Sequence, residues 1–253
     1  MLQKYWRRLK VFILSNLAAL FYTNRMLIQN FTDDNLTNNS LIVDLMTTFQ
    51  ADTYGHRANL ETADLGYGWF HYGLIRTAKP KNILCIGSRH GFIPAVLAQA
   101  CKDNYLGQVD FIDAGYGPED DNHWTGEGFW QTKKGRNIFK QFELGAYLNL
   151  FVTTTQKFFD KYPDSVYDYV YIDGDHSYQG VKYDFEQALA SLRSGGFIVF
   201  HDISVKEDKP EGEYGVYKLW DQIKQKHSNK IEFVYKRSGL GVLQKFNKES
   251  LIK

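Results

Sequence analysis

The stretch from Asp168 to Ile203, "DYVYIDGDHSYQGVKYDFEQALASLRSGGFIVFHDI", decides how the rest of the chain is read. It opens on a short run rich in β-branched and aromatic residues, which fits a buried strand. Asp173, Asp175 and His176 follow directly. A helical stretch comes next, with Val181, Phe185, Leu189 and Leu192 on one face and Gly195-Gly196 as its stop. A second apolar run, "FIVFHDI", closes on His201-Asp202. Strand, helix, strand in this order is a parallel crossover unit. Carboxylates gathered at a strand end repel one another unless a cation, a proton or a ligand lies between them. A solvated turn is the other reading.

Working outward, "KNILCIG" is the first strand and "FIPAVLAQACK" a helix, with Pro94 tolerated in its first turn. "QVDFIDA" is a second strand ending at Asp113, and "LNLFVTTT" a third. "YGVYKLWDQIKQKH" reads as a further helix, and "IEFVYKRSGLGVLQK" as an antiparallel hairpin on the sheet edge. The expected fold is α/β: a Rossmann-like, seven-stranded, mostly parallel sheet with helices on both faces and an antiparallel C-terminal strand. The segment between the second and third strands is longer than a normal connection, so it carries function or short elements of its own. Residues 1–60 lack the alternation, and "TDDNLTNNS" reads as a loop between helices. The chain therefore divides into an N-terminal helical extension, 1–60, and an α/β domain, 61–253.

A net charge of +1 gives no electrostatic footprint for nucleic acid. Cys85 and Cys101 are the only cysteines, and they lack the companions of a zinc site or a disulfide framework. A cytoplasmic setting is the expectation. At the N-terminus, "MLQKYWRRLKVFILSNLAALFY" places basic residues ahead of an apolar run too short to span a bilayer. Val11, Leu14, Leu17 and Phe21 share a helical face that would pack on the body or on a second subunit as a homo-oligomer. A helix lying on a membrane surface and a secretion signal are the alternatives.

Ligands of open α/β sheets bind beyond the carboxyl ends of the strands. The residues collected there are Gly87-Ser88-Arg89-His90-Gly91, Asp113, Asp173 to His176, and His201-Asp202. The glycine loop can bring backbone N–H groups to a ligand, or it is a purely steric turn. Asp113 can accept hydrogen bonds from a ribose diol, or cap a turn. Asp173 and Asp202 could hold one hard cation from adjacent strands. His201 as third ligand would suit manganese, iron or zinc better than magnesium; with no metal, Asp202 caps a turn and His201 faces the core. His176 could accept a proton at neutral pH, or be a structural histidine bonded to a carboxylate. Trp124, Phe129 and Trp130 are candidates for an acceptor wall or lid, against surface packing of a long loop.

The Asp168–Ile203 block resembles the signature of class I S-adenosylmethionine-dependent methyltransferases. Within them it is most similar to the group of macrocin-type sugar O-methyltransferases and cephalosporin-hydroxylase-like proteins. "GLGVLQK" matches the final strand of that fold, and the likeness runs from about Leu60 to Lys245. It implies S-adenosylmethionine held by Gly87, Ser88, Arg89, Gly91, Asp113 and Asp175, with Mg2+ or Mn2+ on Asp173, His201 and Asp202. It further implies methyl transfer to a hydroxyl of a small molecule, a sugar or secondary metabolite, with Asp173 and His176 as the catalytic residues. Four positions depart from the family pattern, one of them His176, where the metal-dependent relatives often place a lysine as base. Cys85 stands in place of an acid, Arg89 in place of the middle glycine, and His201 in place of the first member of an acidic pair. A non-catalytic nucleoside-binding relative, or a hydroxylase-like enzyme on the same scaffold, is the alternative.

Overall fold

The computed structural model describes residues 39–51, 55–117, 128–208, 213–235 and 238–246. The N-terminal amphipathic face, Trp124 and most of the 1–60 extension lie outside the described residues. Helices α1 (Asn39–Thr48) and α2 (Tyr67–Ala78) precede the sheet. Then follow β1 (Asn82–Ile86), α3 (Phe92–Asn104), β2 (Gln108–Asp113), α4 (Lys133–Asn137), β3 (Leu148–Val152) and α5 (Thr155–Lys161). The chain continues through β4 (Tyr167–Ile172), α6 (Tyr178–Ser191), β5 (Leu192–His201), α7 (Val216–Lys226), β6 (Lys230–Phe233) and β7 (Leu240–Gln244). The sheet and every residue of the site belong to one compact unit, Val43–Lys253.

The seven strands run in the order β3-β2-β1-β4-β5-β7-β6. The first five are parallel, and β7 pairs antiparallel with both β5 and β6. This is the expected fold, with one refinement: the hairpin inserts β7 against β5 and leaves β6 on the edge. Register places the site. Ile86 is level with Ile112 and with Ile172, and Ile172 is level with Phe200. The next residue on each strand is therefore Asp113, Gly87, Asp173 and His201, side by side along one edge.

The inner parts of the central strands, residues 83–86, 169–172 and 197–200, are apolar or aromatic because helices cover both faces. On one face Leu84, Val170, Ile198 and Phe200 pack with Val181 of α6 and with Trp220 and Ile223 of α7. Each such side chain contributes roughly 1.5–3 kcal/mol by leaving water. Helix α7 buries Val216, Leu219, Trp220 and Ile223, one clean stripe at helical spacing. On the other face Trp130 stacks on Phe139 with ring centroids 5.7 Å apart and meets Phe111 edge-on at 4.9 Å. Trp130 is only 2% exposed, so this described part of the long second connection is core, and Trp130 does not form the acceptor wall expected of it. Phe129 packs on Trp130 and on His90 instead of facing the cavity.

The end of α6 differs from expectation. The helix stops at Ser191, and β5 runs straight through Gly195 and Gly196. A Cβ on Gly196 would lie 2.8 Å from the carbonyl of Asp168, so that glycine serves strand packing. Leu192 belongs to β5 and pairs with Tyr167 across a register shift. What finishes the helix is Lys245, whose Nζ donates to the carbonyls of Leu189 at 2.8 Å and Leu192 at 2.6 Å. The buried face of α6 is Val181, Asp184, Ala188 and Ser191, with Phe185 and Leu189 only partly covered. Among the described residues no helix is long and apolar enough to cross a membrane.

Candidate active site

A cavity of about 350 Å3 opens along the carboxyl edge of the sheet. It is lined by Gly87 to Arg89, Asp113, Thr153 to Gln156, Asp173 to Ser177, and His201-Asp202, one group from the end of each parallel strand. The cavity has two chemically different halves.

The half over β1 and β2 is built from backbone. Gly87 adopts φ +74, and a Cβ there would lie 2.2 Å from the carbonyl of Asp173; only glycine fits. The Asp113 carboxylate accepts from Ser88 N at 3.3 Å and from Gly115 N at 2.8 Å. These bonds make it a turn residue and at the same time fix it in the cavity wall. Burial pushes its carboxyl up to about 6, while the backbone donors pull the other way. Arg89 is half-buried in the same wall. Gly91 does not line the cavity: with φ +87 it lies where a Cβ would fall 2.7 Å from the Trp130 ring. Asp175 sits exposed on the rim and accepts from Ser177 N at 2.8 Å. Ser177 in turn caps α6 by accepting from Gly180 N at 3.0 Å. Cys85, in the place of an acid, is fully buried, and burial raises its thiol well above the usual range. It is an inert core residue.

The half over β4 and β5 is built from side chains. One oxygen of Asp173 accepts from the Tyr171 hydroxyl at 3.0 Å. The other lies 3.2 Å from His176 Nε2 and 3.2 Å from His201 Nδ1. Asp202 reaches the same two rings, at 3.2 Å to His201 and 3.4 Å to His176. It does so from a left-handed backbone, φ 58, which aspartate tolerates better than most residues. Burial would raise the Asp173 carboxyl, but His201 and His176 hold it well below the carboxylate range. Burial would lower both imidazoles, yet the carboxylates lift them, His201 most of all. Two acids and two imidazoles thus neutralise one another in a site the solvent barely reaches. Asp173, His201 and Asp202 present three ligand atoms within 4.8 Å of one another. Two carboxylate oxygens and an imidazole nitrogen are a donor set that fits a divalent ion of the manganese, iron or zinc type.

The site residues chosen from sequence meet here, except Gly91. Sequence reasoning missed four others. The His176 ring stacks on Tyr214 with centroids 5.0 Å apart and planes 4° from parallel. His56, 6% exposed, lies with its ring centroid 4.8 Å from that of His201. His71 is fully buried behind them and shares a 2.5 Å hydrogen bond with the Tyr169 hydroxyl. Asp184, on the buried face of α6, also lines the cavity, and burial pushes its carboxyl up to about 7. His56 and His71 precede the first strand, where no motif announced them. Asp184 was hidden inside an apolar period.

Sheet order, register and the placement of the cavity define the class I methyltransferase fold. Residues 84–203, from within β1 to just past β5, match a family model described as a methyltransferase domain. An O-methyltransferase from Bacillus cereus, solved in complex with SAH, aligns with a TM-score of 0.55 at 16% identity, covering 81% of this chain and 91% of that one. TomG, the O-methyltransferase of Streptomyces achromogenes involved in tomaymycin synthesis, was solved with SAM. It aligns at TM-score 0.52 and 15% identity over 82% of this chain and 89% of its own. At such identities the likeness is one of fold. An uncharacterized protein of Sinorhizobium fredii, y4gI, is 26% identical over 189 residues, 74% of this chain but 20% of that protein. The chain therefore spans only a fifth of the length of this relative.

Proposed function

We propose that the chain is an S-adenosylmethionine-dependent O-methyltransferase acting on a hydroxyl group of a small molecule, a sugar or a secondary metabolite, with a divalent cation at the acceptor end. The observation that carries this reading is the single row Asp113, Gly87, Asp173, His201. It puts a carboxylate suited to a ribose diol and a cluster suited to a cation and a proton into one cavity.

S-adenosylmethionine, when bound, supplies a methyl group made electrophilic by its sulfonium. Gly87 and Ser88 let backbone approach it, Asp113 accepts from ribose hydroxyls, and half-buried Arg89 is placed to meet a carboxylate. Gly91 and Asp175 act indirectly, one by seating Trp130 and the other by starting α6. Asp173, His201 and Asp202 would hold the cation, which supplies Lewis acidity toward an acceptor oxygen. His176 stands between Asp173 and Asp202 with its ring held flat on Tyr214. Once a cation in place of a proton offsets the two carboxylates, the ring would be free of its own proton and placed to take that of the acceptor. Neighbouring strands are about 4.8 Å apart. Gly87 at the end of β1 and Asp173 at the end of β4 line one cavity, so a donor and an acceptor held by the two halves would share it, as a positioned transfer requires.

The test is calorimetric titration with S-adenosylhomocysteine in the presence of Mn2+, Mg2+ or EDTA. The expected result is saturable binding that weakens at least about tenfold in Asp113→Ala. Absence of binding in every condition sinks the methyltransferase reading. Iron-dependent oxygen consumption would replace it with the hydroxylase-like one.

A further inference from the structure

Four of the seven histidines of the chain, His56, His71, His176 and His201, crowd around the two carboxylates Asp173 and Asp202. His176 and His201 are accounted for by their ion pairs, and His71 by Tyr169. His56 is not. It lines the cavity, it is 6% exposed, and its Nδ1 is buried without a hydrogen-bond partner. The Nε2 of His201 is also buried and unpartnered. The charged groups that act on His56 are His201, Asp173 and Asp202, the same three residues that offer ligand atoms to an ion.

Its backbone is built to hold it there. Gly55 and Arg57, on either side, both have positive φ, 74 and 57. The carbonyl of His56 accepts from Tyr67 N at 2.7 Å, which ties the loop to the start of α2. It also passes so close to Gly66 that a Cβ there would lie 2.2 Å away. A left-handed non-glycine residue costs on the order of 1 kcal/mol and persists where the surroundings require it. The ring spacing is informative. An ion about 2.1 Å from a ring nitrogen lies about 3.2 Å from that ring's centroid, so two neighbouring imidazole ligands of one ion have centroids about 4.5–5.2 Å apart. His56 and His201 are 4.8 Å apart, tilted by 42°.

We infer that His56 is a fourth protein ligand of the cation held by Asp173, His201 and Asp202. The resulting set of two imidazoles and two carboxylates selects a transition ion such as Mn2+ over Mg2+. This rests on the cation-assisted reading of the site above. Its immediate consequence is that the loop before α2, outside the segment that matches the methyltransferase domain, completes the metal centre.

The experiment is Mn2+ titration of the EDTA-treated full chain, followed by pulsed electron paramagnetic resonance to count directly coordinated imidazole nitrogens. S-adenosylhomocysteine titration is run on the same samples. Two coupled nitrogens are expected in the wild type and one in His56→Phe and His56→Gln. Both variants should lose at least tenfold in Mn2+ affinity, with Mg2+ binding weaker than Mn2+ in the wild type. A single coupled nitrogen in the wild type overturns the inference whether or not the variants fold. If S-adenosylhomocysteine still binds in that case, the methyltransferase reading survives and only His56 is displaced. Failure of both Mn2+ and S-adenosylhomocysteine to bind overturns both.

Discussion

The two halves of the cavity solve different problems with different materials. Over β1 and β2 the wall is a glycine turn, backbone N–H groups and one carboxylate, Asp113, which is itself pinned by Ser88 and Gly115. Over β4 and β5 the wall is dense with side chains, two carboxylates shared between His176 and His201. Backbone recognition tolerates sequence change because any residue supplies an N–H; it needs only room, which Gly87 provides. A charged cluster in a dry site does not. Each acid there is tolerable only because an imidazole or a cation offsets it, so its members stand or fall together. The positions at which the chain differs from the methyltransferases it resembles follow the same division. Cys85 and Arg89 change the backbone-built half and leave the turn standing. His201 changes the half made of side chains, and the whole cluster is histidine-rich to match.

The division can be broken experimentally. The largest effect expected is on stability: Trp130→Ala should cost about 3–5 kcal/mol by chemical denaturation, because the indole fills the core beneath the glycine turn. A small loss of stability joined to loss of S-adenosylhomocysteine binding would instead make Trp130 part of the ligand wall. Next, Asp173→Ala should lower Mn2+ affinity by at least about 100-fold while S-adenosylhomocysteine binding changes little. Asp113→Ala should do the reverse, weakening S-adenosylhomocysteine by about 10–100-fold, or 1.4–2.7 kcal/mol, with Mn2+ binding intact. Calorimetry on both variants reads both ligands, and equal losses in all four titrations would show that the halves are one unit. The smallest effect is a pH dependence. Burial raises the Asp184 carboxyl from 3.8 to about 7 in the folded chain. The folded state therefore binds a proton that the unfolded state releases, and this contribution to stability is lost as pH rises from about 4 through about 7. Against Asp184→Asn, the wild type should lose about 1 kcal/mol or more over that window. Parallel melting-temperature profiles for the two proteins would remove Asp184 from the buried set.

Most of this was legible before any coordinates. Short apolar runs closing on Gly87, Asp113, Asp173 and Asp202 fixed the strands, and the rule that ligands lie beyond strand ends fixed the edge. The register that sets Asp113, Gly87, Asp173 and His201 in a row could only be expected, since pairing depends on side-chain packing between strands. Gly195-Gly196 was misread because a glycine pair after an amphipathic stretch signals a helix stop as readily as a strand pressed against a neighbour's carbonyl. His56 and His71 were invisible for a different reason. They reach the cluster from a loop and a helix that no local pattern ties to the sheet, and their chemistry exists only through contacts distant in sequence. Trp130 erred in the opposite direction, because an aromatic in a long loop reads as surface until the packing against Phe111 and Phe139 is seen.

Lys245 gives the site a dependence on the order in which the chain is made. Helix α6 carries Asp184 and is begun by Ser177, and its last carbonyls are satisfied by an amino group 53 residues beyond Leu192. On a ribosome delivering the chain from its N-terminus, that helix end stays open until β7 has emerged and paired with β5. A nascent chain halted short of β7 would hold all the acids and histidines of the cluster, yet lack the fastening that seats α6 against them. Ligand competence should therefore arrive late and abruptly, with the final strand.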